Sequence, residues 1–274
     1  MGPGLDVLRL VPLSRAIAVF LPTSLSFMTQ RVHMLNTHID NLNMQETVQQ
    51  VHSAIREGKQ LHHVVVNAGK LVSMQSDLRL RESVNSADII NADGMAVVWA
   101  SKVLGKGLKE RVAGIDLMHR LVQDAANKGQ KIFLLGAKEE IVSRVAQIYT
   151  DRHGEQLVAG YRNGYFKKEE EAQIAQQIAD SGAQLLFVAI TSPKKENFLN
   201  DNKHHLATVN FVMGVGGSFD VIAGLTKRAP LWMQNNGLEW FYRLIQEPGR
   251  MWKRYLVGNS KFVALVLREK FKKA

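Results

Sequence analysis

An aspartate stands in Asn91-Ala92-Asp93-Gly94, directly after the apolar step Ala87–Ile90. A carboxylate at a strand end can accept a proton from a hydroxyl nucleophile, whereas Asp before Gly also serves as an ordinary turn residue. A second segment, Gly214-Val215-Gly216-Gly217-Ser218, follows the apolar run Val209–Met213 and precedes a helix expected over Phe219–Ala223. Gly214, Gly216 and Gly217 would let backbone N–H groups approach an anion, although a plain turn fits equally well. This is not a dinucleotide fingerprint: Phe219 occupies the third glycine position and no acid follows at the required distance, which weakens a hydride-transfer reading. A third segment, Pro193-Lys194-Lys195-Glu196, offers Lys194 and Lys195 to phosphate and Glu196 to sugar hydroxyls; its alternative is a proline-initiated helix start. His62-His63 and His204-His205 lack metal-ligand spacing, since neighbours on a strand point to opposite faces. Without an Asp-x-Asp motif to hold a divalent ion, a departing diphosphate would rest on cations and backbone amides.

These segments need elements to hold them. Asn43 and Glu46 form an N-cap pair ahead of the helical stripe Val48, Val51 and Ile55, which Gly58 ends. A β-branched strand follows at Leu61–Val66. The order recurs: a helix around Asp116–Lys128 ends at Gly129 before the strand Lys131–Leu135, and one around Glu169–Ser181 ends at Gly182 before Gln184–Ile190. Between them, Glu139–Thr150 reads as another amphipathic helix. Short, fully apolar strands alternating with helices predict a Rossmann-like α/β fold, a parallel sheet with helices on both faces, over residues 31–225. Ligands of such sheets bind beyond the carboxyl ends of the strands, which adds Asn67 and Asn91 to the expected substrate-binding set.

The chain has 274 residues, a formal charge of +10 and no Cys, which excludes disulfides, thiolate metal sites and thiol catalysis. Its charge is uneven. Residues 227–273 hold eleven Lys and Arg against three Glu, a net +8, and leave +2 for the rest. Trp240, Trp252, Tyr255 and Phe262 are interleaved with these cations, so residues 226–274 read as a helical, basic, amphipathic appendage suited to a membrane interface. Three helical pieces are expected there: Leu238–Ile245, Arg250–Val257 beyond Pro248, and Lys261–Lys273. A packed helical pair with merely exposed cations is the competing reading. Nucleic-acid binding would also use the charge, but the C-terminal concentration and the lack of a recognised module argue against it. Residues 1–30 form an extension whose 13-residue run Ala16–Met28 is too short to span a bilayer. A signal-like segment without a clear cleavage site, a non-native extension and a peripheral membrane contact all remain open for it.

From Asn36 to Phe262 the sequence resembles the WecG/TagA/CpsF family, glycosyltransferase family 26. The resemblance rests on Asn91-Ala92-Asp93-Gly94, Arg111-Val112-Ala113-Gly114-Ile115-Asp116-Leu117, Gly164-Tyr165-Phe166, Pro193-Lys194-Lys195-Glu196, Gly214–Asp220, Arg228-Ala229-Pro230 and Gly237-Leu238-Glu239-Trp240. It implies inverting, metal- and cofactor-independent transfer of a sugar from a UDP-sugar to a polyprenyl-diphosphate-linked saccharide. The protein would sit peripherally on the cytoplasmic face of the bacterial membrane; a homo-oligomer is left open. Asp93 matches the family's proposed base and Arg111 an arginine near the site. Arg243, Arg250, Lys253 and Arg254 match the appendage cations that approach the diphosphate and an anionic membrane surface. Val65 and Lys195 depart from the Thr and Gln that many members carry, so the donated sugar is not assumed; the alternative within the family is a transferase of N-acetylmannosamine or its uronic acid.

Overall fold

The computed structural model describes residues 30–272, apart from the side chains of Asn235, Arg250, Lys253 and Arg254; the expectation for residues 1–30 falls almost wholly outside them. The chain opens with a hairpin, β1 (Arg31–Met34) and β2 (Thr37–Asp40), then α1 (Met44–Arg56), β3 (Leu61–Val66), α2 (Ala68–Ser73), α3 (Leu78–Asn85) and β4 (Ile89–Ala92). It continues with α4 (Met95–Val103), α5 (Gly114–Asn127), β5 (Ile132–Gly136), α6 (Glu139–His153), β6 (Val158–Arg162), α7 (Glu171–Asp180) and β7 (Leu185–Ala189). It closes with α8 (Lys194–Asp201), β8 (Phe211–Gly214), α9 (Ser218–Ile222), α10 (Leu231–Asn235), α11 (Glu239–Gln246) and α12 (Pro248–Phe271).

Local chemistry sets these boundaries. Asn43 Oδ1 accepts the Glu46 N–H and the Glu46 carboxylate accepts the Asn43 N–H, a reciprocal cap that starts α1. Gly58, which follows α1, has φ +64 and open space where a Cβ would stand, so the chain leaves the helix through a left-handed residue at no steric cost.

Six strands form one parallel sheet in the order β4-β3-β8-β7-β5-β6. Successive residues along each strand feed opposite cores. Val65, Leu134, Phe187 and Met213 pack with α1, α5 and α6 on one face. Val64 and Val66 pack with Leu71, Val84 and Val97 on the other, where Leu135 and Val188 meet Ile178 and Phe198 further along the sheet. The expected doubly covered parallel sheet is therefore present.

The C-terminal segment differs from expectation in one respect. Two of its three expected pieces are a single 24-residue helix, α12, with Pro248 at its first turn. Pro belongs there because its missing N–H costs nothing at a helix start. Gly258, Asn259 and Ser260 stay helical, and Ser260 Oγ donates to the Leu256 carbonyl at 2.7 Å. Packing overrides their weak propensity: Phe262 and Val266 are buried in the core beneath α2 and α4. Glu269 completes the dock, accepting the Leu35 N–H at 2.6 Å and a Lys106 Nζ hydrogen at 2.8 Å.

Candidate active site

All six parallel strands end on one edge, and the strand-end residues gather there. Val66 pairs with Ala92, which sets Asn67 and Asp93 side by side one residue later. The Asp93 N–H donates to the Val66 carbonyl at 2.9 Å. Its Oδ1 accepts the N–H of Gly114, the first residue of α5, at 2.9 Å. A side chain at Gly114 would press on Met213 and Val65, so the absent Cβ lets α5 begin close against the sheet. Half-buried Asp93 is thus a pinned carboxylate at a strand end rather than a loose turn residue.

Asn67 caps α2, its Oδ1 accepting the Lys70 N–H at 3.0 Å. Asn91 lies one layer lower. It is buried inside β4, where its Oδ1 accepts from Thr47 Oγ1 at 3.2 Å and sits 2.8 Å from His63 Nε2. Expected at a strand-end loop, the side chain lies inside the sheet and ties β3, β4 and α1 together. His63 is lowered to about 4, chiefly by burial, and His62 to about 3 for the same reason. Both rings are neutral at ordinary pH.

Pro193-Lys194-Lys195-Glu196 opens α8, so the proline-initiated helix start is realised. Lys194 Nζ donates to the Phe166 carbonyl at 3.0 Å and lies 4.2 Å above the Phe166 ring. Lys195 and Glu196 point inward. Glu196 Oε1 receives Lys195 Nζ at 2.8 Å and Lys70 Nζ at 2.7 Å, and Lys70 Nζ also donates to the Val65 carbonyl at 2.6 Å. Burial alone would raise the Glu196 carboxyl, but Lys70 and then Lys195 hold it at about 2. Gly214 has a packing function as well, since a Cβ there would stand 2.8 Å from Lys195 Cδ and Cε. Gly216 has φ +54 with open space beyond it, and Gly217 precedes α9.

Arg111 is engaged by the C-terminal segment. Its guanidinium pairs with Glu239 at the start of α11, while Arg228 grips Asp116 through two bonds of 2.5 and 2.8 Å and reaches Glu239 at 3.5 Å. Burial would raise Asp116, and the Arg228 hydrogen bonds and charge lower it. This four-charge lattice anchors residues 228–239 beside α5, whose first residue holds Asp93. Arg243 is exposed on α11; the side chains of Arg250, Lys253 and Arg254 lie outside the described residues. Spacing did not single out Lys70, Asp116, Arg228 or Glu239 as site-forming groups. The available signal for Lys70 was its place three residues after Asn67, the cap that follows the Val64-Val65-Val66 end of β3.

A parallel α/β sheet with a pinned carboxylate, capped strand ends and a glycine loop on one edge has the build of a group-transfer enzyme of the Rossmann-like class. The WecG/TagA/CpsF glycosyl transferase family model matches residues 32–274, and the chain belongs to that family. A relative from Bacillus subtilis (strain 168) is 39% identical over 186 residues, 68% of this chain and 71% of its own length. It is named N-acetylglucosaminyldiphosphoundecaprenol N-acetyl-beta-D-mannosaminyltransferase. The protein is accordingly a hexosyltransferase. No helix among the described residues is long and apolar enough to cross a membrane.

Proposed function

We propose that this enzyme moves a sugar from a UDP-sugar to a polyprenyl-diphosphate-linked saccharide, with inversion and without a metal or other cofactor, as a peripheral protein on the inner face of the bacterial cell membrane. The acceptor class follows the relative's name, which specifies a diphosphoundecaprenol-linked sugar. One observation carries the chemistry: Asp93, fixed at the strand edge by the Gly114 N–H beside Asn67. In this reading the acceptor hydroxyl oxygen attacks the anomeric carbon as its proton passes to Asp93. The bond from that carbon to the UDP oxygen breaks, and UDP leaves with the electron pair. The amides of Gly216 and Gly217 in the Gly214–Ser218 loop, with Arg243 of α11 and the cations of α12, balance the charge of the departing diphosphate.

Asp93→Asn keeps the shape and removes the base, so kcat is expected to fall about 10²–10⁴-fold with unchanged circular dichroism. A near-wild-type rate overturns the assignment. A panel of UDP-sugars offered with a short-chain lipid-diphosphate saccharide identifies the donor. Excess EDTA leaves the rate unchanged if the metal-independent route is correct; loss of activity restored by a divalent ion defeats it.

The membrane part rests on the outer side of α12. Trp252, Leu256, Val263, Leu267 and Phe271 are exposed and recur along one side of the helix, distinct from the docked stripe of Met251, Phe262 and Val266. An exposed apolar stripe among cations suits an anionic bilayer surface.

A further inference from the structure

Beneath the strand ends lies a charge cluster that the transfer reaction as described does not use. Lys70 from α2 and Lys195 from α8 both converge on Glu196 Oε1, and the three side chains are only 7%, 9% and 2% exposed. Two ammoniums share one carboxylate, leaving one positive charge without an adjacent counter-ion. Asp93, on the loop after β4, lies within Coulombic range of Lys195. The other titratable neighbours on β3 are His62, which lines the same narrow crevice, and His63, within Coulombic range of Lys70; both are neutral. Gly214 of β8 brings no charge, and its missing Cβ is what lets the Lys195 stem pass under the glycine loop. The four charges therefore balance only as a set, with Lys195 as the member that joins the Lys70–Glu196 pair to Asp93 and to the underside of Gly214.

We propose that Lys195 is a positioning residue whose protonated form supports sugar transfer, and that Lys70 and Glu196 set the pH at which that form is lost. The inference rests on the transfer reaction proposed above. Lys195 acts through Asp93 and through the field beneath the loop assigned to the departing diphosphate, and charges in dry surroundings act strongly over such distances. Burial, and after it the neighbouring Lys70 charge, bring the Lys195 ammonium down to about 8, where Glu196 and Asp93 pull the other way. Activity is consequently expected to fall as pH rises through that value.

Two measurements on the full-length protein decide it. The first is NMR titration of isotope-labelled lysine, with the Lys195 signal assigned from Lys195→Gln. The second is the pH profile of kcat/KM. The Lys195 midpoint and the alkaline limb of the rate are expected to coincide in the wild type. Glu196→Gln removes the attractive partner and moves both to lower pH; Lys70→Met removes the repulsive one and moves both to higher pH. Lys195→Gln abolishes the limb. A purely structural role would still let the Lys195 midpoint move with these substitutions, but would leave the alkaline limb of the rate where it was while changing the size of the activity. If Glu196→Gln fails to fold, Lys70→Met, with its opposite direction, still decides the matter. A Lys195 midpoint near that of free lysine, or a rate limb indifferent to these substitutions, overturns the proposal. If no donor is turned over, the transfer reading fails, while the titration in free protein still tests the charge cluster.

Discussion

Asp93 and Lys195 make unequal demands on their surroundings. Asp93 needs one N–H and a fixed strand end. Lys195 needs a partner carboxylate, a second lysine and a glycine whose missing side chain makes room. Gly214→Ala would set a methyl group against a lysine stem anchored at its far end, so it should displace the ammonium and lower kcat by about tenfold or more with little change in fold. Steady-state kinetics beside circular dichroism check this. The buried histidines carry a different consequence. Their folded-state values, about 3 and about 4, lie below the ordinary 6.5, so the unfolded chain binds protons that the folded chain refuses. Stability is full above 6.5 and declines as pH falls through it, at up to about 1.4 kcal/mol per pH unit for each histidine. Urea unfolding at pH 7.5 and 5.5 should show the loss, and His62→Phe should reduce its slope. Glu196 adds to the loss only below its ordinary 4.5, since its contribution is present above that value and disappears toward about 2.

Among the elements, α12 is bound to the body more firmly than its basic composition implied. Phe262 is 5% exposed in the core under α2, the helix that carries Lys70 and is capped by Asn67. Phe262→Ala should cost about 3–5 kcal/mol, read as a lowered urea midpoint, and should loosen α2 as well as α12 by hydrogen exchange. Arg228 has an equivalent position in the preceding segment. Replacing it with Lys keeps the charge but loses the fork that holds Asp116, so residues 224–238 should be cleaved several-fold faster in limited proteolysis. How legible each element was follows from how local its cause is. The capped α1 and the β-branched β3 declare themselves in their own residues. The hairpin β1–β2 does not, because its two-residue turn is Leu35-Asn36, both at positive φ, where the usual signal is Asn-Gly. Edge strand β6 is only partly buried and lacks the apolar run that marks its neighbours.

The proposed function divides its work between two sides of the molecule: a strand-end edge carrying Asp93, and the outer side of the C-terminal helices. Simple truncation after Ala229 would test the membrane side poorly, because it strips Met251, Phe262 and Val266 from buried positions. Exposed positions test it cleanly. Lys261→Ser with Arg268→Ser removes two exposed cations, and at about 1 kcal/mol each vesicle binding should weaken about thirtyfold. Trp252→Ser with Leu256→Ser should weaken it further at unchanged thermal stability. Sedimentation with anionic vesicles that is indifferent to both pairs would sink the membrane-surface reading.

The sequence alone determined the alternating α/β order, the parallel sheet, the strand-end position of Asp93 and the basic C-terminal segment. Each depends on composition or spacing within a few residues. Tertiary structure decided which charges meet. Lys70, Glu196 and Lys195 come from two helices far apart in the chain, and Arg111, Asp116, Arg228 and Glu239 from segments equally remote. It also moved Asn91 from the strand-end loop into the sheet and joined two expected helical pieces into α12. The physical reason is common to all of these. A periodic pattern records which face a residue buries, whereas the partner of a buried charge is chosen by how the elements pack.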